Sequence, residues 1–191
     1  MTIEKPLSKF QLPGESLDCT VDYAFNVVMS DLTNISILLS ELLKLDRDYI
    51  KDNIVFLNGK LTNNRTKEKQ SNLDLLVEIK GKLVIVEMNR YPRSNLFVKN
   101  TVYKDKVSSK SLSRGESYLD KPCTILINID RDFEDKNKVN GKFKKGDMVV
   151  TKYIYKEYDT NEIYKYSNDV IYHVSLKKLL EKYNTLGYTE L

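Results

Sequence analysis

The chain predicts an α/β fold in which a mixed central β-sheet is flanked by helices, with an antiparallel β extension toward the C-terminus. Three observations point there. Two helix-periodic segments precede the first strand. Two apolar runs, joined through Lys80-Gly81 in "LDLLVEIKGKLVIVEMN", read as a hairpin. A further, nearly continuous apolar run, "PCTILINID", follows a long helical segment. Helices placed before and between strands of this kind pack as layers on a sheet. The expected organisation is a flexible arm over residues 1–17 and a single domain over 18–191. Within that domain a core spans about 20–130, a β-rich extension about 141–174 and a short terminal helix 175–184.

In chain order, Pro6, Pro13 and Gly14 mark the loose arm. "CTVDYAFNVVMSD" carries Val21, Phe25, Val28 and Met29 at helical spacing, with Thr20 the expected N-cap. "TNISILLSELLKL" places Ile35, Leu38, Leu39, Leu42 and Leu43 on one stripe, with Thr33 or Asn34 expected to cap it. "NIVFLNG" reads as a short strand, and the polar, lysine-rich stretch 59–72 as a loop. After the hairpin, "RSNLFVKNTVYKDKVSSKSLSRG" reads as a long helix, Pro92 near its start and Gly115 past its end. "PCTILINID" is apolar enough to lie centrally in the sheet. "GDMVVTKYIYKEYD", "NEIYKYS" and "DVIYHVS" alternate tyrosines with polar residues and predict an antiparallel meander. "SLKKLLEKYN" closes as a helix with Ser175 at its N-cap.

Composition narrows the chemistry. The 191 residues carry 31 Lys and Arg against 27 Asp and Glu, a net charge of +4 that permits contact with nucleic acid without arguing for it. No apolar run approaches bilayer length, and the N-terminus lacks a signal-peptide core, so a cytoplasmic, reduced protein with no membrane partner is expected. One histidine, His173, leaves no multi-histidine zinc site and weakens any Ser/His or Cys/His hydrolase; with no partner in the local sequence it reads as structural. Carboxylates and lysines remain to do chemistry.

The hairpin holds the strongest such signal. With Lys80-Gly81 as a two-residue turn, cross-strand partners have numbers summing to 161, so Asp74 faces Glu87 on one side of the sheet, with Asn89 two residues beyond on that side. Directly opposed residues lie about 4.5–5.5 Å apart at Cβ. Two like charges there need compensation, and hard oxygen donors close together suit Mg²⁺. The competing reading is a register shifted by one, which would send one carboxylate to the other face.

The same residues resemble the PD-(D/E)XK nuclease superfamily, and most closely its branch of nuclease family transposases, or recombination-promoting nucleases. The resemblance rests on "DYAFN", on "LDLLV" followed by "VEMN", on Tyr103 and "GESY", on "CTILINI" and on "YIYKEYDTNEIYKYSNDVIYHVSLKKL", and covers about residues 20 to 180. It implies a restriction-endonuclease-like core. It also implies metal-binding roles for Asp74 and Glu87, an acid from the first helix at Asp22, and aromatic positions at Tyr103 and Tyr118. Asn89 stands where the superfamily has Lys and this branch usually has Gln; Asn26, Asn100 and Ser111 also depart from the pattern.

The expectation is thus a metal-dependent DNA endonuclease, an Mg²⁺-dependent deoxyribonuclease of a mobile element or phage, with Mn²⁺ able to substitute. Asp74 and Glu87 hold the metal with the Met88 backbone carbonyl, and Asn89 and Asp22 complete the catalytic set. Tyr103, Lys104 and Lys69 are the expected substrate contacts, with Lys104, Lys106 and Lys110 forming a phosphate-tracking face. DNA is the expected partner, and a dimer is compatible with the chain. The alternative is a nuclease-fold binding module without activity, contacting nucleic acid or a host-defence protein.

Overall fold

A computed structural model describes residues 20–61, 71–91, 95–112, 115–131, 149–165, 167 and 169–186. Three helices come first: α1 (Asp22–Met29), α2 (Leu32–Leu43) and α3 (Arg47–Asn53). Their caps differ from expectation. Val21, not Thr20, precedes α1 and makes no side-chain cap, while Thr20 is buried. Asp31 caps α2 by accepting from the backbone N–H groups of Thr33 and Asn34, because a carboxylate immediately before the helix meets both orphan donors. The expected stripe holds, with Ile35, Leu39 and Leu42 buried and Leu38 and Leu43 packed beside them. Helix α3, capped in the same way by Asp46, was not anticipated.

Strand β1 (Ile54–Leu57) leads to a small ladder of β2 (Lys60–Leu61) with β3 (Ser71–Asn72), inside the stretch expected to be loop. Gly59 approaches Leu73 so closely that a Cβ would lie 2.8 Å from the Leu73 carbonyl oxygen, which fixes the backbone entering Asp74. Strands β4 (Leu75–Ile79) and β5 (Lys82–Asn89) form the expected hairpin in the expected register, Leu76 opposite Ile85 and Ile79 opposite Lys82. Lys80 and Gly81 both take positive φ, 47° and 74°, as a type I′ turn requires.

Helix α4 (Leu96–Lys110) is shorter at both ends than the helical pattern suggested, and Pro92 lies outside the described residues. A single 3₁₀ turn (Tyr118–Asp120) leads to β6 (Cys123–Asp130), followed by β7 (Val150–Tyr153), β8 (Val170–Ser175) and α5 (Leu176–Leu186). Ser175 caps α5 as expected, its Oγ accepting from the Lys178 N–H. The six-stranded sheet has the order β1-β4-β5-β6-β8-β7, with β5, β6 and β8 parallel and β7 antiparallel at the edge. The antiparallel extension is therefore the β7–β8 pair, joined to the central sheet through β8. Among the described residues of "NEIYKYS" none belongs to a strand, and Ile163 makes one isolated bridge to Lys156.

The sheet separates two apolar clusters. Leu75, Val77, Val84, Val86, Ile125 and Ile127 face α1–α3, while Leu76, Ile85 and Leu126 pack with Val107 of α4 on the other face. Strand pleating then assigns every neighbouring residue to a face. Glu87 and Asn89 share the parity of Ile85, Asn128 and Asp130 that of Leu126, and His173 that of Ile171. All of them lie under α4.

Candidate active site

Register alone builds the site. The row Leu76–Ile85–Leu126–Ile171 crosses the sheet and is apolar. The next row toward the C-terminal ends of the parallel strands is Glu87, Asn128 and His173, with Asp74 just before β4 beside Glu87, and beyond it come Asn89 and Asp130. The α4 face thus changes from apolar to polar within one pleat, under the first turns of α4.

Asp74 and Glu87 meet just past the last paired residues of the hairpin, Leu75 opposite Val86. The Asp74 N–H donates to Glu87 Oε1 at 3.2 Å, and the Met88 N–H donates to Asp74 Oδ2 at 2.8 Å. Glu87 is only 1% exposed. Burial first, and then the charge of Asp74, push its carboxyl up to about 7, against the opposing pull of Lys99. Asp74 is raised as well, by burial and by the charge of Asp22, although the Met88 N–H pulls it down. Asp22, in the first turn of α1, therefore acts electrostatically on Asp74.

Two facts bear on whether a cation fits. Among the described residues no group of three or more His, Cys, Asp or Glu is arranged to hold a metal ion, so the donor set is the carboxylate pair plus backbone. Mg²⁺ characteristically uses one or two carboxylates, keeps several waters and takes the rest from substrate phosphate. The Met88 carbonyl adds to the set. Its N–H points at Asp74, and in an extended strand the C=O of a residue points to the same side as its N–H. The pair fits a hard divalent cation.

Asn89 is placed differently from its expected role in the cleft. Its Nδ2 donates to Asp130 Oδ1 at 2.8 Å, and its Oδ1 accepts from Asn100 Nδ2 at 3.3 Å, so both ends of the amide are used in a buried network. Asn100 Nδ2 also donates to Asn128 Oδ1 at 2.6 Å. His173, read from sequence as lacking partners, has two: Asp130 Oδ2 at 3.2 Å from Nδ1 and Asn128 Nδ2 at 3.3 Å from Nε2. Both contacts are satisfied by the Nδ1-protonated tautomer. Phe97 and Tyr153 meet its ring edge-on, at 4.4 and 5.4 Å between centroids.

The expected substrate contacts divide. Lys104 is not on a phosphate-tracking face. It is 2% exposed and holds Asp169 at 3.1 Å and Asp105 at 3.2 Å. Burial pulls its ammonium down, but the Asp169 bond and charge more than restore it. Tyr103 packs on the α4 face of the sheet, near the site. Tyr118 is 90% exposed and lines an open cleft with Asp105, Ser108 and Lys121 toward the C-terminal end of α4, away from the first turns that cover the carboxylates. Lys69 lies outside the described residues. Lys99, which no sequence signal singles out, places its Nζ 3.5 Å from Glu87 Oε2. No helix among the described residues is long and apolar enough to cross a membrane.

Comparison with known proteins identifies the family. The family model described as PD-(D/E)XK nuclease family transposase matches residues 19–184. No curated protein matches the chain.

Proposed function

The chain belongs to the PD-(D/E)XK nuclease family transposases, and on that premise we propose that it hydrolyses DNA phosphodiester bonds at the Asp74–Glu87 pair with a divalent cation bound. Membership carries a nuclease-like, transposase-associated function and DNA as the substrate class; nucleases of this superfamily generally use divalent metals. The observation that supports the finer reading is the pair itself, a buried and a half-buried carboxylate held side by side and both shifted toward protonation. A fold selected for stability alone gains nothing from that repulsion. A cation between them removes it.

Asp74, Glu87 and the Met88 carbonyl would hold the ion, with Mg²⁺ the best match to the donors and Mn²⁺ a substitute. When bound it supplies an acidified water and neutralises charge on the phosphate. Hydrolysis consumes one water: its oxygen forms a bond to phosphorus as the P–O ester bond breaks, and its protons pass to the leaving sugar oxygen and to solvent. Asp22 adds negative charge on the carboxylate side, which strengthens cation binding. Asn89 acts indirectly, bracing β5 against β6 through Asp130. A mobile element or phage is the setting that this reading fits.

One observation favours a second reading, a nuclease-fold module that binds nucleic acid or a host-defence protein without cutting it. Strand β5 offers no cation two residues after Glu87, and the amide there is turned into the network. A single experiment separates the two. Purified protein is incubated with supercoiled plasmid and with single-stranded DNA under Mg²⁺, Mn²⁺ or EDTA, beside Glu87→Ala. The nuclease reading expects cleavage that EDTA stops and that Glu87→Ala lacks. Equal cutting by Glu87→Ala, or none by the wild type, rejects it.

A further inference from the structure

The carboxylate pair creates a problem that the metal alone does not solve. A phosphodiester is an anion, and it must approach a wall built of Asp74 and Glu87 with Asp22 nearby. Preorganised positive charge aimed at the phosphate is the usual remedy in such sites. Strand β5 does not provide it, because Asn89 is neutral and both ends of its amide are engaged. Asn100, one helical step along α4, is also neutral and is fully buried in the same network. Lys104, a further turn along, is locked to Asp169.

Lys99 is the exception on this helix. It lies in the first turn of α4, and its Nζ stands 3.5 Å from Glu87 Oε2. The two partners differ in kind: the glutamate side chain is 1% exposed, whereas that of Lys99 is 41% exposed. The ammonium therefore sits at the mouth of the site, between buried carboxylate and solvent. The ring of Tyr103 supports it from below at 4.9 Å, a cation–π contact that favours this rotamer over one directed into water. Both Glu87 and Asp74 feel its charge.

We propose that Lys99 is the phosphate-facing cation of this site, a catalytic residue supplied by helix α4 in place of one on strand β5. The inference rests on the nuclease reading for its chemistry. With the cation held by the carboxylates, Glu87 no longer needs the ammonium, and Nζ turns its donors to a non-bridging phosphate oxygen. There it offsets the negative charge that grows on the phosphate oxygens as the water oxygen attacks. No proton moves to or from Lys99. The ammonium is a fixed charge and hydrogen-bond donor, three bonds' worth on a stem braced by Tyr103. Tyr103 thereby acquires a positioning role rather than a direct one.

Two arms test this. In the kinetic arm, Lys99→Met should lower kcat about 100-fold, the effect of deleting one preorganised donor, with KM changed little. Lys99→Gln should behave like Met, and Lys99→Arg should recover to within about tenfold of wild type because charge is what the site requires. In the binding arm, the background is Glu87→Gln, which cannot cut and leaves Lys99 without a carboxylate partner at position 87. The affinity of a fluorescent DNA duplex is measured against salt, without metal. Adding Lys99→Met should reduce the salt slope by about 0.9, one phosphate contact. Lys51→Met, on α3 across the sheet, should leave it unchanged. If the wild type cuts and Lys99→Met cuts equally well, the proposal is overturned. If the wild type does not cut, the nuclease reading fails by itself, and the salt slope then decides whether Lys99 meets phosphate.

Discussion

At the residue site 89 an amide does the work of a clamp. Asn89 donates to Asp130, accepts from Asn100, and lies 6% exposed between β6 and α4. Asn89→Leu keeps the approximate volume but leaves a buried carboxylate and a buried amide without these bonds. The expected loss is about 1–3 kcal/mol, read as a lower urea midpoint with an unchanged m-value. A change under about 0.5 kcal/mol would mean that the network is not holding the strands. The pair one pleat away was legible in the sequence for a simple reason. A two-residue turn with Gly at its second position sets the register, and period two then sets the face, so Asp74 and Glu87 follow without tertiary information. Asn128 and Asp130 carried the same signal, polar residues alternating within "TILINID", but only the parallel β5–β6 pairing shows that they share a face with Glu87. The partners of His173 could not be named from sequence because they come from 43 and 45 residues away.

Helix α4 shows why the lysines were misassigned at the scale of an element. Its buried positions include Asn100, Lys104 and Ser108 beside Leu96 and Val107, so no apolar stripe announces which side meets the sheet. Without that stripe, Lys104 and Lys99 look equivalent in sequence, and the helix rotation separates them by burying one and leaving the other half exposed beside Glu87. Asp169, just before β8, determines this rotation. It accepts from Lys104, from Lys121 and from the Thr124 N–H, tying α4, the β6 approach and β8 together. Lys104→Met should therefore cost stability rather than affinity for DNA. Removing one partner of a buried ion pair costs about 3–5 kcal/mol, and the remaining Lys121 should hold the loss near the lower figure. Thermal unfolding and DNA affinity measured on one preparation test this. A weaker salt slope at unchanged stability would restore Lys104 to the substrate face. Helix α3 escaped notice through brevity, and the tyrosine alternation of 161–167 imitated a strand, although among the described residues it makes only one bridge.

For the whole molecule the sequence conveyed layers but not order. The sheet, the flanking helices and the hairpin were readable from local periodicity, whereas the insertion of β8 between β6 and β7 depends on a parallel pairing with no local signature. That insertion completes the polar end of the α4 face, because it brings His173 and Ser175 alongside Asn128 and Asp130.

The stability of the entire fold should report on the carboxylate pair through linkage. In the metal-free protein the Glu87 carboxyl is raised from 4.5 to about 7 by burial and by Asp74, and Asp74 is raised in the same direction. Between those two pH values the folded chain binds more protons than the unfolded one, so stability falls as pH rises through that window and levels off above it. The acid-side groups act elsewhere: Asp169 is lowered despite its burial, through its bonds to Thr124 and Lys104, and its contribution is lost only as pH falls below the ordinary carboxylate range. A divalent cation reverses the slope. It binds the deprotonated pair, so its stabilisation grows as pH rises over the same interval. At a hundredfold excess over Kd the gain is about 2.7 kcal/mol, or roughly 5–10 °C in Tm for a chain of this size. Melting curves at pH 5, 6, 7 and 8, with EDTA and with Mg²⁺, should diverge steadily with pH. Glu87→Gln should abolish most of the divergence, since it removes both the titration and a ligand. Parallel curves for the wild type would show that the two carboxylates neither repel each other nor share a cation.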